Sequence, residues 1–287
     1  MDNFILKGTA FGFSYEEWAN KNDLLPSTLI SVIEAWRRTV QEQDLSFKQD
    51  IKDDFKREYG RIINAYYGLE SDVHNLSINY HLIKSISMDK EQDNGLKILY
   101  VGLLSENYIT NLRSIYDFTS LFPRILIEDI KHFKKLQNLK NSDSLNSLIS
   151  FARSDNNYVR NIFSESVLSI FKKVENDLND IRLIRDTIIH KGKEPIIEFE
   201  NGKYFIRIPL QPPFGVGNNF PDILYIGNDK YPLLDYLKVL TIRLLNYMED
   251  LAQCLYKELH YKRKDFIMEL CALVGICIPD FREYIEE

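Results

Sequence analysis

Apolar residues recur at steps of three and four along most of this chain, the period of helices that bury one face. Over 233–261, Leu233, Leu237, Leu240, Leu244, Tyr247, Leu251, Cys254 and Tyr261 fall mostly on one stripe. Their alternating spacing suits bundle packing close to coiled-coil geometry. Over 158–190, Phe163, Val167, Ile170, Val174, Leu178, Ile181, Ile184 and Ile188 predict a second long helix, stopped by Gly192 and Pro195. A third is expected over 96–122, with Leu99, Leu103, Tyr108, Leu112, Ile115 and Phe118 as its apolar positions and Pro123 ending it. Short helices are expected over 131–140, which is basic, and over 144–152. The first ninety residues read as three or four helices. One opens at Pro26-Ser27 and carries Leu29, Ile30, Ile33 and Trp36. A charged stretch over 48–61 follows it, then Ile62, Ile63, Tyr66 and Tyr67, then a further helix over 71–87.

The period changes at 196–208, where runs rich in Ile, Phe and Tyr flank Asn201-Gly202, the preferred two-residue hairpin turn. The Pro- and Gly-rich stretch 211–230 reads as a loop with a short strand at 223–226. The polar, Gly-containing break at 89–95 is the best boundary in the chain. The expected fold is an all-α helical bundle with a β-hairpin inserted between the last two long helices. It divides into an N-terminal helical region (1–90), a bundle (96–265) carrying the hairpin at 196–208, and a C-terminal helical tail (266–287).

Composition narrows the function classes. In 287 residues there are only 12 Gly and 9 Pro, which favours long helices over many short strands. Three cysteines without a C-x-x-C pair fit a reducing compartment. The first thirteen residues lack a charged-then-apolar leader pattern, and the apolar stretch 266–279 is too short for a span and contains Glu269. A cytoplasmic protein with no membrane partner is therefore expected. The net charge of −6 argues against a dedicated duplex-DNA binder and leaves room for an enzyme that engages a few phosphates. Phosphate-loop, dinucleotide and nucleophile-elbow motifs are absent. His74 and His81 share a helix face without a third ligand at metal spacing, so neither a metal nor a cofactor is expected.

One segment combines chemistry with position: Arg185-Asp186-Thr187-Ile188-Ile189-His190, at the end of the second long helix. Arginine stays charged and offers a fork of donors to phosphate. Histidine titrates near neutrality and suits proton transfer. Asp186 and His190 are four apart, so the carboxylate can orient the ring. These are parts for phosphodiester cleavage without a metal.

The arrangement resembles the HEPN superfamily, whose members are helical bundles carrying an Arg-x4–6-His motif. Here Arg185, four intervening residues and His190 match it, with polar Asp186 after the arginine and the motif closing a bundle helix. The resemblance covers about 96–265 and leaves the first ninety residues unexplained. It implies a metal-independent endoribonuclease that cuts single-stranded or looped RNA to a 2′,3′-cyclic phosphate. His190 would abstract the 2′-hydroxyl proton, and Arg185 would bind the phosphate. It also implies a homodimer with the cleft at its interface, in a toxin–antitoxin, antiviral or stress-response system where an antitoxin or regulatory protein is a partner. Helices facing the motif in such bundles lend polar residues to the cleft, which brings in Asn111 and Asp117, with Arg113, from the 96–122 helix. The basic residues at 131–140 and Lys262-Arg263-Lys264 are either RNA-backbone contacts or ordinary solvated charge.

The alternative class is a catalytically inactive helical interaction or regulatory protein. Arg185 is then a flank residue with a buried stem, and His190 a cation favourable to the helix C-terminus. Residues five apart on a straight helix are rotated by about 140°. A working Arg185–His190 site therefore requires a distorted helix end or a second subunit.

Overall fold

The computed structural model describes residues 9–10, 13–14, 27–42, 49–127, 130–137, 143–153, 160–191, 195–207, 231–259 and 279–286. A two-strand pair, β1 (Thr9–Ala10) and β2 (Phe13–Ser14), precedes α1 (Ser27–Glu42) and α2 (Gln49–Met88). Next come α3 (Asn94–Thr119), a 3-10 turn (Phe122–Leu126), α4 (Ile130–Gln137), α5 (Leu145–Arg153) and α6 (Glu165–Lys191). The strands β3 (Ile196–Glu200), β4 (Lys203–Arg207) and β5 (Tyr231–Pro232), then α7 (Leu233–Glu258) and α8 (Pro279–Glu286), complete the order. The chain is a helical bundle with a hairpin inserted between its last two long helices. No helix among the described residues is long and apolar enough to cross a membrane.

From Gln49 on, the charged stretch and the separate helix expected at 71–87 are one continuous α2 of 40 residues. Its buried positions explain the continuity. Ile62, Leu69, Leu76 and Ile83 repeat every seven residues, and Tyr66, Val73 and Tyr80 repeat every seven between them. That is a seam suited to one long antiparallel partner. The partner is α3, which returns after a tight turn. Asp89 accepts from the Glu91 amide at 2.9 Å, and Asp93 caps α3 by accepting from Gly95 and Leu96 at 2.8 and 3.2 Å. The two helices approach closely where the Phe118 ring lies against Gly68, so that a Cβ there would stand 2.5 Å from the ring tip.

The core stripe of α3 is Val101, Tyr108, Ile109, Leu112, Ile115 and Tyr116. Leu99 and Leu103, expected in the core, are 68% and 58% exposed. Apolar residues occupy two faces of the first turns of α3; the one turned to α2, α7 and β3 is covered, and among the described residues Leu99 and Leu103 lie on the other. Along that face α3 runs parallel to α7, with Tyr108 bonded to Thr241 and Thr119 to Tyr247 through their hydroxyls at 2.7 and 3.0 Å. α6 lies antiparallel to α7, where Arg243 meets Asp177 and Asp180 at 3.2 Å.

The β3–β4 hairpin forms in the expected register, with Ile197 opposite Ile206 and Phe199 opposite Tyr204. Asn201 and Gly202 have φ of 49° and 79°, the left-handed pair that a type I′ turn requires. β5 adds a third antiparallel strand on the far side of β4. The 223–226 strand, the 211–230 loop and residues 266–278 of the expected tail lie outside the described residues, whereas α8 supplies the tail's last helix.

Below α3 sits a buried charge cluster. Arg124 of the 3-10 turn, its side chain fully buried, donates to Glu58 of α2 at 2.6 Å and to Asp143 at 2.7 Å. Arg61 pairs with Glu58 at 2.7 Å and also with Asp143. The Ser120 hydroxyl lies between the Asp117 and Asp143 carbonyls, at 2.7 and 2.6 Å. The chain entering α5 is thereby fastened to the end of α3. Removing one member of a buried pair strands its partner, at a cost of about 3–5 kcal/mol. Glu58→Gln is expected to lower unfolding free energy by about 3 kcal/mol, the lower end because Asp143 still faces Arg124. Equilibrium urea unfolding measures this, and a loss within experimental error of zero refutes the structural role of the pair.

Candidate functional site: a polar cleft between three helices

The fastened corner and two long helices enclose an open cleft of about 380 Å³. α3 contributes Thr110, Arg113, Ser114 and Asp117, spaced by three, one and three, which is one helix face. α6 contributes Arg182, Arg185 and Asp186, again one face, and the corner contributes Ser144, Asn146 and Ser147 at the start of α5. Every lining residue is polar. Three guanidinium groups face two carboxylates, which leaves one positive charge in excess, with hydroxyl and amide groups around it.

The arginines are held in place. Arg113 and Asp117 approach to 2.6 Å, an ion pair whose facing atoms are buried and lack hydrogen-bond alignment. Asp186 accepts from Arg185 Nη1 at 3.0 Å through Oδ1 and from Arg182 Nε at 3.3 Å through Oδ2. Partial burial would raise the Asp186 carboxyl. The hydrogen bonds from Arg185 and Arg182, and their charges, outweigh it and hold the group below the usual carboxylate range. One carboxylate thus bridges two guanidinium groups, whose remaining donors suit a phosphodiester or another small oxyanion.

Of the sequence candidates, the fold brings Arg185, Asp186 and Asp117 into this cleft, with Arg113 beside them. Asn111 is half-buried on α3 and is not among the lining residues. It follows Thr110 by one residue, and about 100° of rotation turns it off the cleft face. His190 belongs to the last turn of α6, which stays helical through Lys191, and its side chain lies outside the described residues. The helix end is therefore regular rather than unwound. Arg185 sits where the stripe predicts, flanking buried Ile181 and half-buried Ile188, with its side chain 33% exposed.

Arg182, Thr110, Ser114, Ser144, Asn146 and Ser147 were not among the candidates. Two patterns point to part of this set, namely Arg182, Arg185 and Asp186 at one helix spacing, and Thr110 through Asp117 at another. No family model, curated protein or solved structure matches this chain. The cleft is read from its own residues alone.

A carboxyl depressed in the folded state stabilises the fold above its ordinary pKa, and that contribution is lost as pH falls through the folded value. Asp186→Asn is therefore expected to be less stable than the parent at neutral pH, by under about 1 kcal/mol for so exposed a pair. The two should converge below the ordinary carboxylate range. Urea midpoints measured across an acidic pH series check this, and a constant offset at every pH contradicts it.

Proposed function

We propose that this chain is a metal-independent endoribonuclease of the HEPN type, cutting single-stranded or looped RNA, with Arg185 as phosphate clamp and His190 as base. One observation carries the reading: Arg185 and Asp186 lie in an all-polar cleft with two further arginines and an excess positive charge. In this reading the 2′-hydroxyl gives its proton to His190 and the 2′-oxygen attacks the adjacent phosphorus. The bond to the 5′-oxygen breaks, leaving a 2′,3′-cyclic phosphate. Arg185, with Arg113 and Arg182, stabilises the charge gathering on the non-bridging oxygens. Asp186 keeps the guanidinium groups oriented for that task.

Because α6 is helical through Lys191, positions 185 and 190 are about 140° apart around the axis of one copy. A second copy resolves this if its His190 meets the Arg185 of the first. α3 supplies a surface for it. Leu96, Leu99, Tyr100 and Leu103 form an exposed apolar stripe. The same helical line continues through Asn107 into Thr110, Ser114 and Asp117 of the cleft. Exposed stripes of large apolar residues mark partner surfaces. The same stripe also favours one other reading, a catalytically inactive interaction or regulatory protein that binds a partner and cuts nothing.

Purified protein is expected to cleave unstructured RNA equally with and without chelator, and Arg185→Ala and His190→Ala each to slow cleavage by about 100-fold or more. If both variants keep the parental rate, the inactive reading replaces this one. Leu99→Asp combined with Leu103→Asp is expected to shift a dimer to monomer in sedimentation velocity and to lower cleavage in parallel. Unchanged sedimentation removes α3 from the interface.

A further inference from the structure

Two carboxylates stand on the cleft arginines, and they hold them differently. Asp186 accepts hydrogen bonds from Arg185 and Arg182 at 3.0 and 3.3 Å. Asp117 lies nearer its arginine, with 2.6 Å between Arg113 Nη1 and Asp117 Oδ1. Both of those atoms are nevertheless buried, and neither has a hydrogen-bond partner. Charge alone holds the pair. A buried donor and acceptor left unbonded keep their desolvation cost, which a better-placed partner would offset.

Position on the helix accounts for the poor fit. Asp117 follows Arg113 by one turn of α3, the less favourable order for an acid and a base. It also falls in the last turn of α3, where the helix dipole disfavours a negative charge. The main chain there is fixed, because the Asp117 carbonyl accepts from the Ser120 hydroxyl at 2.7 Å and from the Ser120 amide at 3.1 Å. Any exchange therefore falls to the side chains. That of Asp117 is 40% exposed and that of Arg113 12%, so the carboxylate has water to turn into and the guanidinium has little.

We propose that Asp117 is an internal stand-in for a phosphate of the RNA: an entering phosphate displaces its carboxylate from Arg113, and the carboxylate returns as the product leaves. The inference rests on the ribonuclease reading and adds to it a residue that sets affinity. A phosphate oxygen is not tethered one turn along the same helix. It reaches Arg113 along an N–H axis and accepts the charge-assisted hydrogen bond that Asp117 does not. One oxyanion replaces another on one guanidinium, and no covalent bond changes. Asp186 stays in place, because its hydrogen bonds to Arg185 and Arg182 are already made. Asp117 thereby weakens the hold of the cleft on substrate and product alike, and it acts through Arg113.

The test uses the full chain and two probes, a 2′-deoxy oligonucleotide, which lacks the attacking hydroxyl and is not cut, and an oligoribonucleotide. In fluorescence anisotropy, Asp117→Asn is expected to bind the deoxy probe about 10-fold more tightly than the parent, and Arg113→Gln about 10-fold more weakly. The two effects should couple. In the Arg113→Gln background, Asp117→Asn should change affinity by less than about 2-fold, because the stand-in has no arginine left to occupy. With the oligoribonucleotide, Asp117→Asn should lower KM, and the cyclic phosphate product should inhibit it at about a tenth of the parental concentration. Equal tightening in both backgrounds reports only the loss of a nearby negative charge and overturns the exchange. Unchanged or weaker binding by Asp117→Asn overturns it as well. Chelator-independent cleavage without the coupling leaves the ribonuclease reading standing alone. Coupling in a protein that cuts no RNA overturns that reading and keeps the exchange at Arg113. Thermal unfolding of each variant identifies one that fails to fold, and Arg113→Met, which keeps the buried stem, then takes the place of Arg113→Gln.

Discussion

The buried contact between Arg124 and Glu58 is the constraint on which the working face of this bundle depends. A fully buried guanidinium is tolerable only if carboxylates reach it, and here one comes from α2 and another from the corner before α5. Such a pair adds little net stability over well-packed apolar residues, because desolvation consumes most of its Coulomb energy. What it supplies is position. Arg124 fixes where Asp143 stands, and Ser144, Asn146 and Ser147 follow within one turn of chain. A non-polar substitute could fill the same volume and leave that wall unplaced.

Most helices were legible because one stripe on each was apolar and the rest was not. The single stripe of α7 and the stripe of α6 left no competing assignment. The hairpin was legible because Asn201-Gly202 fits one turn type and the side-chain period changed on both sides of it. α2 was misread for a physical reason. Lys56 and Arg57 meet solvent while Glu58 and Arg61 belong to the buried charge cluster, so this part of the helix shows no apolar stripe. The seven-residue repeat from Ile62 to Ile83 was the better guide. Leu99 and Leu103 misled because periodicity reports that a face is apolar, not that anything covers it.

The cleft was half legible. Arg185 and Asp186 were visible as an unusual pair at a helix end, and Asp117 as a polar residue on a neighbouring helix. Ser144, Ser147 and Asn146 were not, because they reach the cleft through a tertiary fastening that no local pattern encodes. Arg182 was hidden differently: on an exposed helix face a lone arginine reads as solvated charge until Asp186 is seen to bridge it to Arg185. Asp186 was expected to orient His190, whose side chain lies outside the described residues; what the geometry shows is Asp186 bridging two guanidinium groups.

The corner at Asp143 has a consequence for how the molecule would register an occupied cleft. One wall belongs to the nine-residue α5, while the other two belong to helices of 26 and 27 residues. Short elements open locally at lower free energy than long ones sunk in the core. An anion bridging α6 and the Ser144–Ser147 turn binds only while that turn is closed, so its binding free energy is added to the local closing equilibrium. Ligation would then be written most strongly in amide-exchange protection of α5, a segment that carries none of the three cleft arginines.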